Sequence, residues 1–141
     1  WVPYAAEELA GVFVRPEGFE ERFLPGDADL AAGIERVWRL YESAAKLAPD
    51  APAAYTDFAG FVEHAYGPQG LDVAADAYCA ALSLQPDNPH TLCNAGAFVY
   101  FMMGDYEVAE NMLLLGIRRG KGQHPDTPYM LTRLGIMHLQ K

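Results

Sequence analysis

The middle of the sequence lacks basic residues. Between Leu47 and Ile117 there is no Lys or Arg, and the whole chain carries a formal net charge of −9. Nucleic-acid binding depends on Lys and Arg that displace counterions from phosphates, so this composition argues against direct contact with nucleic acid. The acidity suits a basic or amphipathic segment of a protein partner, or it serves solubility alone.

Cysteine is scarce, and long apolar runs are missing. Cys79 and Cys93 have neither CxxC spacing nor a His at metal-ligand distance, which predicts two buried, reduced thiols. The most apolar segment, Cys93 to Met103, is much shorter than the ~20 residues of a membrane-spanning helix. We therefore expect an intracellular protein, in the cytoplasm or inside an organelle, without a membrane span. The sequence also begins at Trp1 without an initiator Met, which predicts a processed chain or part of a longer one.

The residues that usually carry catalysis are scattered. The four histidines occur without an HExxH motif or a Ser or Cys partner pattern. The Gly120-Lys121-Gly122 segment follows a predicted helix instead of opening one, so it is not a phosphate-binding loop. We expect no enzymatic activity, no cofactor and no metal site.

A repeated turn motif organises the chain. PDxP occurs at residues 49–52, 86–89 and 125–128, at nearly equal intervals. An Asp, Asn or Thr in such a motif can cap the free amides of a helix, and a Pro in the first turn loses no hydrogen bond. The motif therefore predicts that a helix begins after each copy.

The residues after each motif also correspond. Two apolar positions and one small position recur with the spacing of one helix face, and the small residue lets a second helix lie close. The three sets are Tyr55, Phe58 and Ala59; Leu92, Ala95 and Gly96; and Leu131, Leu134 and Gly135. Second helices are predicted at 71–84 and 108–117. An earlier second helix is predicted at 29–47, and 129–140 is predicted to be a first helix.

These features resemble the tetratricopeptide repeat family. The resemblance rests on Gly104-Asp105-Tyr106 followed by Ala109, on the run from Ala81 to Pro86, and on Leu134-Gly135. It implies an all-α, right-handed superhelix (a solenoid) of antiparallel helix pairs with about three to four repeats. These would span approximately 30–49, 50–86, 87–124 and a partial 125–141, after an irregular N-terminal segment at 1–29 with short helices. Gly116 departs from the family, which usually has Ala there.

The resemblance also implies a function. In that family the first helices line a concave groove that binds other proteins, which here would be aromatic and nearly uncharged. We expect a scaffold or adaptor, a subunit of a larger hetero-complex, that binds a partner segment in this groove. The candidate partner-binding residues are Glu63, Asn94, Phe98, Tyr100, Phe101, Tyr129, Arg133 and Ile136.

Several alternatives remain open. The spacing of Tyr55, Phe58 and Phe61 also resembles half-a-tetratricopeptide scaffolds of RNA processing, in which a basic segment, residues 118–121, would touch a nucleic-acid-bound complex. The chain could instead be a non-catalytic helical domain of a larger enzyme. Helix 92–103 is apolar nearly all round, with Leu92, Ala95, Val99 and Met102 expected to face the core. The N-terminal segment, a stacked neighbouring repeat or a partner could cover the rest.

Overall fold

The computed structural model describes residues 6–19 and 27–139, and within these ranges every regular element is helical. The α-helices are α1 (Ala6–Gly11), α2 (Ala28–Leu47), α3 (Ala53–Tyr66), α4 (Leu71–Leu84), α5 (Pro89–Phe98), α6 (Tyr106–Arg119) and α7 (Thr127–Leu139). A 3-10 turn, Gly67–Gly70, joins α3 to α4, and a π-helical turn, Val99–Met103, extends α5. The prediction of an all-α protein is confirmed. None of the described helices combines the length and apolarity needed to cross a membrane.

A helix follows each PDxP motif, as predicted. α3 begins directly after the first copy, α5 begins at the last Pro of the second, and α7 begins at Thr127 within the third. At the second copy, the side chain of Asn88 accepts a hydrogen bond from the Thr91 amide at 3.1 Å. This bond satisfies one of the amides that a helix start leaves without a backbone partner. The predicted second helices also form, at the positions of α2, α4 and α6.

The chain divides into two compact units, residues 1–84 and 85–141. In the first unit, α3 packs against both α2 and α4. Trp38 of α2 and Phe58 of α3 are fully buried at its centre, with their ring centres 5.0 Å apart. The core of this unit is therefore aromatic.

Residues 6–19 complete that aromatic core. The indole Nε1 of Trp38 donates a buried hydrogen bond of 2.8 Å to the backbone carbonyl of Phe13. The centre of the Phe13 ring lies 5.4 Å from that of Tyr55 and 4.8 Å from that of Phe58. Phe19 contacts Tyr66 at 4.8 Å and also contacts Trp38. The sequence left the position of residues 1–29 open, and the described part covers the helices of the first unit.

Other aromatic residues of the N-terminal segment, Trp1, Tyr4 and Phe23, lie outside the described residues.

A cation also holds residues 6–19 against α2. The Arg15 guanidinium carbon lies 4.8 Å from the centre of a Trp38 ring. Arg15 also forms an ion pair with Glu35 of α2. Stacking and charge pairing thus add to the ring contacts that hold residues 6–19 against α2.

In the second unit, α6 packs against both α5 and α7. The buried core cluster consists of Cys93, Tyr100, Ala109, Leu113, Met130, Leu134 and Met137. Two glycines allow the helices to approach closely. A Cβ atom at Gly96 would lie 3.0 Å from the Leu113 side chain, and one at Gly116 would lie 2.7 Å from Met130 Sδ. The predicted role of Gly96 as the small residue of its repeat is confirmed, while a Cβ at Gly135 would meet open space.

Replacing Phe13 should destabilise the first unit. Phe13→Ala removes a ring that is 3% exposed and leaves a cavity between Tyr55 and Phe58, so we expect a loss of about 3 kcal/mol in the free energy of unfolding. The neighbouring Val14 is 70% exposed, and Val14→Ala should change that free energy by less than about 0.5 kcal/mol. Urea unfolding of the full chain measures both variants. Equal effects would contradict the packing described for residues 6–19.

Adding a methyl group at Gly116 should also be costly. Met130 is fully buried, so its sulfur has little room to move away from a new Cβ, and the Cβ of Leu92 would lie 3.3 Å away on another side. We expect Gly116→Ala to destabilise the protein by about 1 kcal/mol net, because overpacking outweighs the gain in helix propensity.

Gly135→Ala is the matched control for this overpacking. It makes the same chemical change on a helix of the same unit, but the added Cβ meets no atom within 4 Å. It should stabilise the protein by about 0.5 to 1 kcal/mol through helix propensity alone. Thermal unfolding shows the sign for each variant, and a stabilising Gly116→Ala would overturn the close approach of α5, α6 and α7.

Candidate protein-binding site

The π-helical turn at the end of α5 decides which aromatic side chains reach the surface. An α-helical period continued from Leu92 and Ala95 predicts Val99 and Met102 in the core. The i→i+5 bonds of the π turn widen it by about one residue, and this rotates the following side chains. Tyr100 is buried instead, while Val99 and Met102 are only half-buried. Phe101 is left 55% exposed.

One face of α7 carries the Arg133 side chain that lies over this exposed ring. Tyr129, Arg133 and Ile136 follow one another at intervals of four and three residues, so they share a helix face. The guanidinium carbon of Arg133 lies 5.6 Å from the centre of the Phe101 ring. Tyr129 is exposed, and Ile136 is half-buried against the core cluster. We call Phe101, Tyr129, Arg133 and Ile136 the aromatic face.

Arg133 retains unused hydrogen-bonding capacity. Its Nε is buried and finds no hydrogen-bond acceptor among the residues that the structure describes. The Tyr100 hydroxyl is also buried and has no partner within the described part of the chain. Burying a polar group without a hydrogen bond is unfavourable.

Phe98 and Tyr100 require a correction. Both were predicted to anchor a partner, but they are only 3% and 6% exposed and offer it almost no surface. The Tyr100 ring instead contacts Phe101 at 4.7 Å and Tyr106 at 5.1 Å, measured between ring centres. Tyr100 therefore supports the aromatic face from beneath, and Phe98 belongs to the interior.

Two exposed residues near this support were not among the predicted partner-binding residues. Met103 and Tyr106 are both more than half exposed. The sequence predicted this helix to begin at residue 108, whereas Tyr106 is the first residue of α6. The positive φ of Gly104, 71°, ends the preceding helix and allows the chain to turn there. The apolar character of both side chains next to a helix stop was the signal that could have identified them.

Two of the polar candidates, Asn94 and Glu63, have other partners. Asn94 Nδ2 donates to the backbone carbonyl of His90 at 3.2 Å, one turn earlier on α5. Glu63 belongs to α3 of the first unit, where its Oε2 accepts a hydrogen bond of 3.1 Å from the Tyr78 hydroxyl. Asn94 therefore stabilises the start of α5, and Glu63 joins α3 to α4. Glu63 is not part of the aromatic face, which belongs to the second unit.

A polar cluster links α5 to the segment before α7. His90 Nδ1 lies 2.6 Å from Asp126 Oδ2, and the Asp126 amide donates to His124 Nδ1 at 3.0 Å. Over residues 6–19 and 27–139, no group of three or more His, Cys, Asp or Glu side chains is arranged to hold a metal ion. The contacts of this cluster fix the start of α7, and with it the position of Tyr129.

The basic segment after α6 forms a helix cap. The Gly122 amide bonds to the Ile117 carbonyl, and the Lys121 amide bonds to the Arg118 carbonyl, each at 3.1 Å. This is the Schellman arrangement, in which the residue with positive φ is usually Gly. Here Lys121 occupies that position with φ of 54°. Cations at a helix C-terminus also complement its dipole, so capping accounts for this segment.

The first unit contains an apolar recess of about 190 Å³. It is lined by Leu9, Ala10, Phe13, Glu42, Ala45, Lys46, Pro49 and Tyr55. Sequence reasoning did not identify this recess, because one of its walls comes from residues 6–19. Its volume is that of a side chain and not that of a drug-sized ligand.

Comparisons with protein-family models, with curated proteins and with solved structures each found no match. The resemblance to tetratricopeptide repeats therefore rests on the sequence motifs and on the order of the helices.

The two cysteines differ in their surroundings. They do not form a disulfide, and Cys79 is exposed, which corrects the prediction that both are buried. Burial raises the pKa of the Cys93 thiol, the negative charge of Asp126 raises it further, and Arg133 opposes both effects. The Cys93 contribution to stability is thus fully present below an ordinary thiol pKa of about 8.5 and is lost as the pH rises through the raised pKa.

This contrast should appear in thiol labelling. At neutral pH a disulfide reagent such as Ellman's reagent should modify Cys79 rapidly. Cys93 should react at least about 100-fold more slowly, because its thiol is both buried and protonated. A Cys79→Ala variant isolates Cys93 and should become reactive only when urea unfolds the protein. Fast labelling of that variant in its native state would contradict the closed core of the second unit.

Proposed function

We propose that the protein is a non-catalytic scaffold or adaptor that binds a segment of another protein on the aromatic face. The observation that carries this proposal is the stacking of the exposed Phe101 ring on Arg133. Around this pair, Tyr129 is exposed and Ile136 is half-buried. Exposed aromatic rings beside an Arg are typical of the residues that dominate protein interfaces.

The face is held in place before any ligand arrives. The Phe101 ring contacts the buried Tyr100 on one side and Arg133 on another, and Ile136 packs against the core cluster. A side chain that is already fixed loses little rotamer entropy on binding. These contacts therefore favour a recognition surface over a set of mobile surface side chains.

The charge near this face suggests the chemistry of the partner. Asp105 and Glu107 flank the exposed Tyr106, which contacts Tyr100 beneath the aromatic face, while the cation of that face, Arg133, is already stacked on Phe101. A partner segment that carries basic residues beside an apolar anchor would gain from both features. We propose an amphipathic, basic segment as the ligand, within an intracellular hetero-complex.

The architecture forms part of the same proposal. α3 packs on α4 and α5 packs on α6, and each pair is joined by a short turn, as the helix pairs of a tetratricopeptide repeat are. Together with the resemblance of the motifs, these pairs support a right-handed superhelix of repeats. Proteins built in this way commonly bind other proteins through an extended surface.

A pair of matched variants tests the proposed site. Phe101 and Leu131 are 55% and 56% exposed, and both belong to the second unit. Phe101→Glu places a charge at the centre of the aromatic face, whereas Leu131 projects from α7 away from the face that carries Tyr129 and Arg133. We expect Phe101→Glu to weaken partner binding by about 100-fold and Leu131→Glu to change it less than about threefold.

The measurement uses a photoactivatable amino acid at position 101 or 131 in cells of the source organism. Mass spectrometry then identifies the crosslinked proteins. A foreign protein that crosslinks repeatedly at position 101, does not crosslink at 131, and loses affinity for the purified Phe101→Glu chain supports the proposal. Circular dichroism and urea unfolding verify that both variants fold. Partner affinity that is identical in the two folded variants would overturn it.

A further inference from the structure

One histidine holds the turn that leads into α7. The Nδ1 atom of His124 accepts a hydrogen bond of 3.0 Å from the Asp126 amide. The backbone carbonyl of His124 accepts a second bond, of 2.9 Å, from the Thr127 amide. Thr127 is the first residue of α7, so these two bonds determine where and in which direction the helix begins.

The first of these bonds reports the protonation state of His124. A backbone amide can only donate, so the ring nitrogen that faces it must present a lone pair and carry no hydrogen. A protonated imidazole has a hydrogen on both nitrogens and cannot accept at either one. The hydrogen bond from the Asp126 amide and a positive charge on His124 therefore exclude each other.

The backbone at His124 has little freedom to adapt. A Cβ atom at Gly120 would lie 2.8 Å from the His124 Cβ, so this residue packs directly on the end of α6. The Gly120 amide is itself bonded to the Gly116 carbonyl in the last turn of α6. A change in the bonding of the ring must therefore be met by rotation of the ring or by movement of the start of α7.

A carboxylate lies close enough to receive a protonated His124. Asp126 Oδ2 is 3.9 Å from His124 Nδ1, and it is the one carboxylate that the described residues place within ion-pair distance of His124. The same oxygen is already in contact with His90 Nδ1 at 2.6 Å, across from α5. With a proton on its ring, His124 would lose the hydrogen bond from the Asp126 amide. It would then compete with His90 for the Asp126 carboxylate.

The other charged and titratable groups around this site come from three elements. On α5, Cys93 is buried close enough to Asp126 for the carboxylate to raise its pKa, and on α7 the guanidinium of Arg133 lowers it. The end of α6 and its cap supply three cations, Arg118, Arg119 and Lys121, of which Arg119 pairs with Asp87 at 3.8 Å. Asp126 is thus the acceptor that His90 and His124 share. The cations at the end of α6 have the same sign as a protonated His124 and do not neutralise its charge.

We infer that His124 makes the start of α7 sensitive to pH. When the ring gains a proton, the hydrogen bond from the Asp126 amide is replaced by an ion pair with the Asp126 carboxylate, and the first turn of α7 loosens. Because Tyr129 lies in that first turn, protonation disturbs the aromatic face as well. The inference concerns the turn itself and holds whether or not that face binds a partner.

Amide hydrogen exchange of the full chain, followed by NMR without any partner, tests this inference. The protection factor of the Asp126 amide should fall by about tenfold or more between pH 7.5 and pH 5.5. In His124→Asn the side-chain oxygen can accept the same amide in an Asx turn but does not titrate, so protection should stay constant. His138→Gln removes a histidine that pairs with Glu110, and it should behave as the unsubstituted chain does.

Two results would overturn the inference. The first is an Asp126 amide whose protection is the same at both pH values. The second is an equal loss of protection in His124→Asn, which would place the titrating group elsewhere. Ring nitrogen shifts of the unsubstituted chain give a test that does not depend on a variant. They should show a bare Nδ1 on His124 while the Asp126 amide is protected and a protonated one where that protection is lost, and a proton on Nδ1 at pH 7.5 would also overturn it.

Discussion

The first unit depends on one hydrogen bond between a side chain and the backbone. Trp38 is completely buried, and its indole N–H would cost free energy there if it lacked an acceptor. The Phe13 carbonyl supplies that acceptor at 2.8 Å. Because the acceptor belongs to the backbone of residues 6–19, the same bond fixes the path of this segment. It also places the Phe13 ring against Tyr55 and Phe58. The same residue therefore supplies the acceptor for the indole N–H and an aromatic ring for the core.

The sequence predicted the helices well because their starts and ends are determined locally. A PDxP motif carries its own capping groups and a Pro that suits the first turn, and no distant residue is needed to interpret it. The positions of Phe98 and Tyr100 could not be predicted in the same way. A π turn is a small departure from helical spacing that depends on how a helix packs, and it moved Tyr100 into the core while Phe101 moved out. The packing of residues 6–19 over Trp38 could not be predicted from local sequence either, since its hydrogen bond joins residues 25 positions apart.

Small residues have a comparable importance in the second unit. The resemblance to tetratricopeptide repeats marked Gly116 as a departure from an expected Ala. The structure gives the physical reason, because Met130 occupies the space in which that methyl group would lie. The close approach places α7 against α6 with Met130 and Met137 buried, and the His90–Asp126 contact fixes the start of the same helix. The position of Arg133 over Phe101 follows from these constraints, so the candidate site depends on packing at some distance from it.

Copies of one motif can start helices by different chemistry. At the second PDxP motif the amide oxygen of Asn88 caps α5, and this group keeps its charge state at any ordinary pH. At the third motif the Asp126 carboxylate is taken up by His90, and His124 supplies the acceptor that orders the turn. A titratable group therefore supplies at the third motif the acceptor that a neutral group supplies at the second. Linkage is reciprocal, so if a proton on His124 lowers the affinity of the aromatic face for a partner, a bound partner lowers the affinity of His124 for a proton by the same factor.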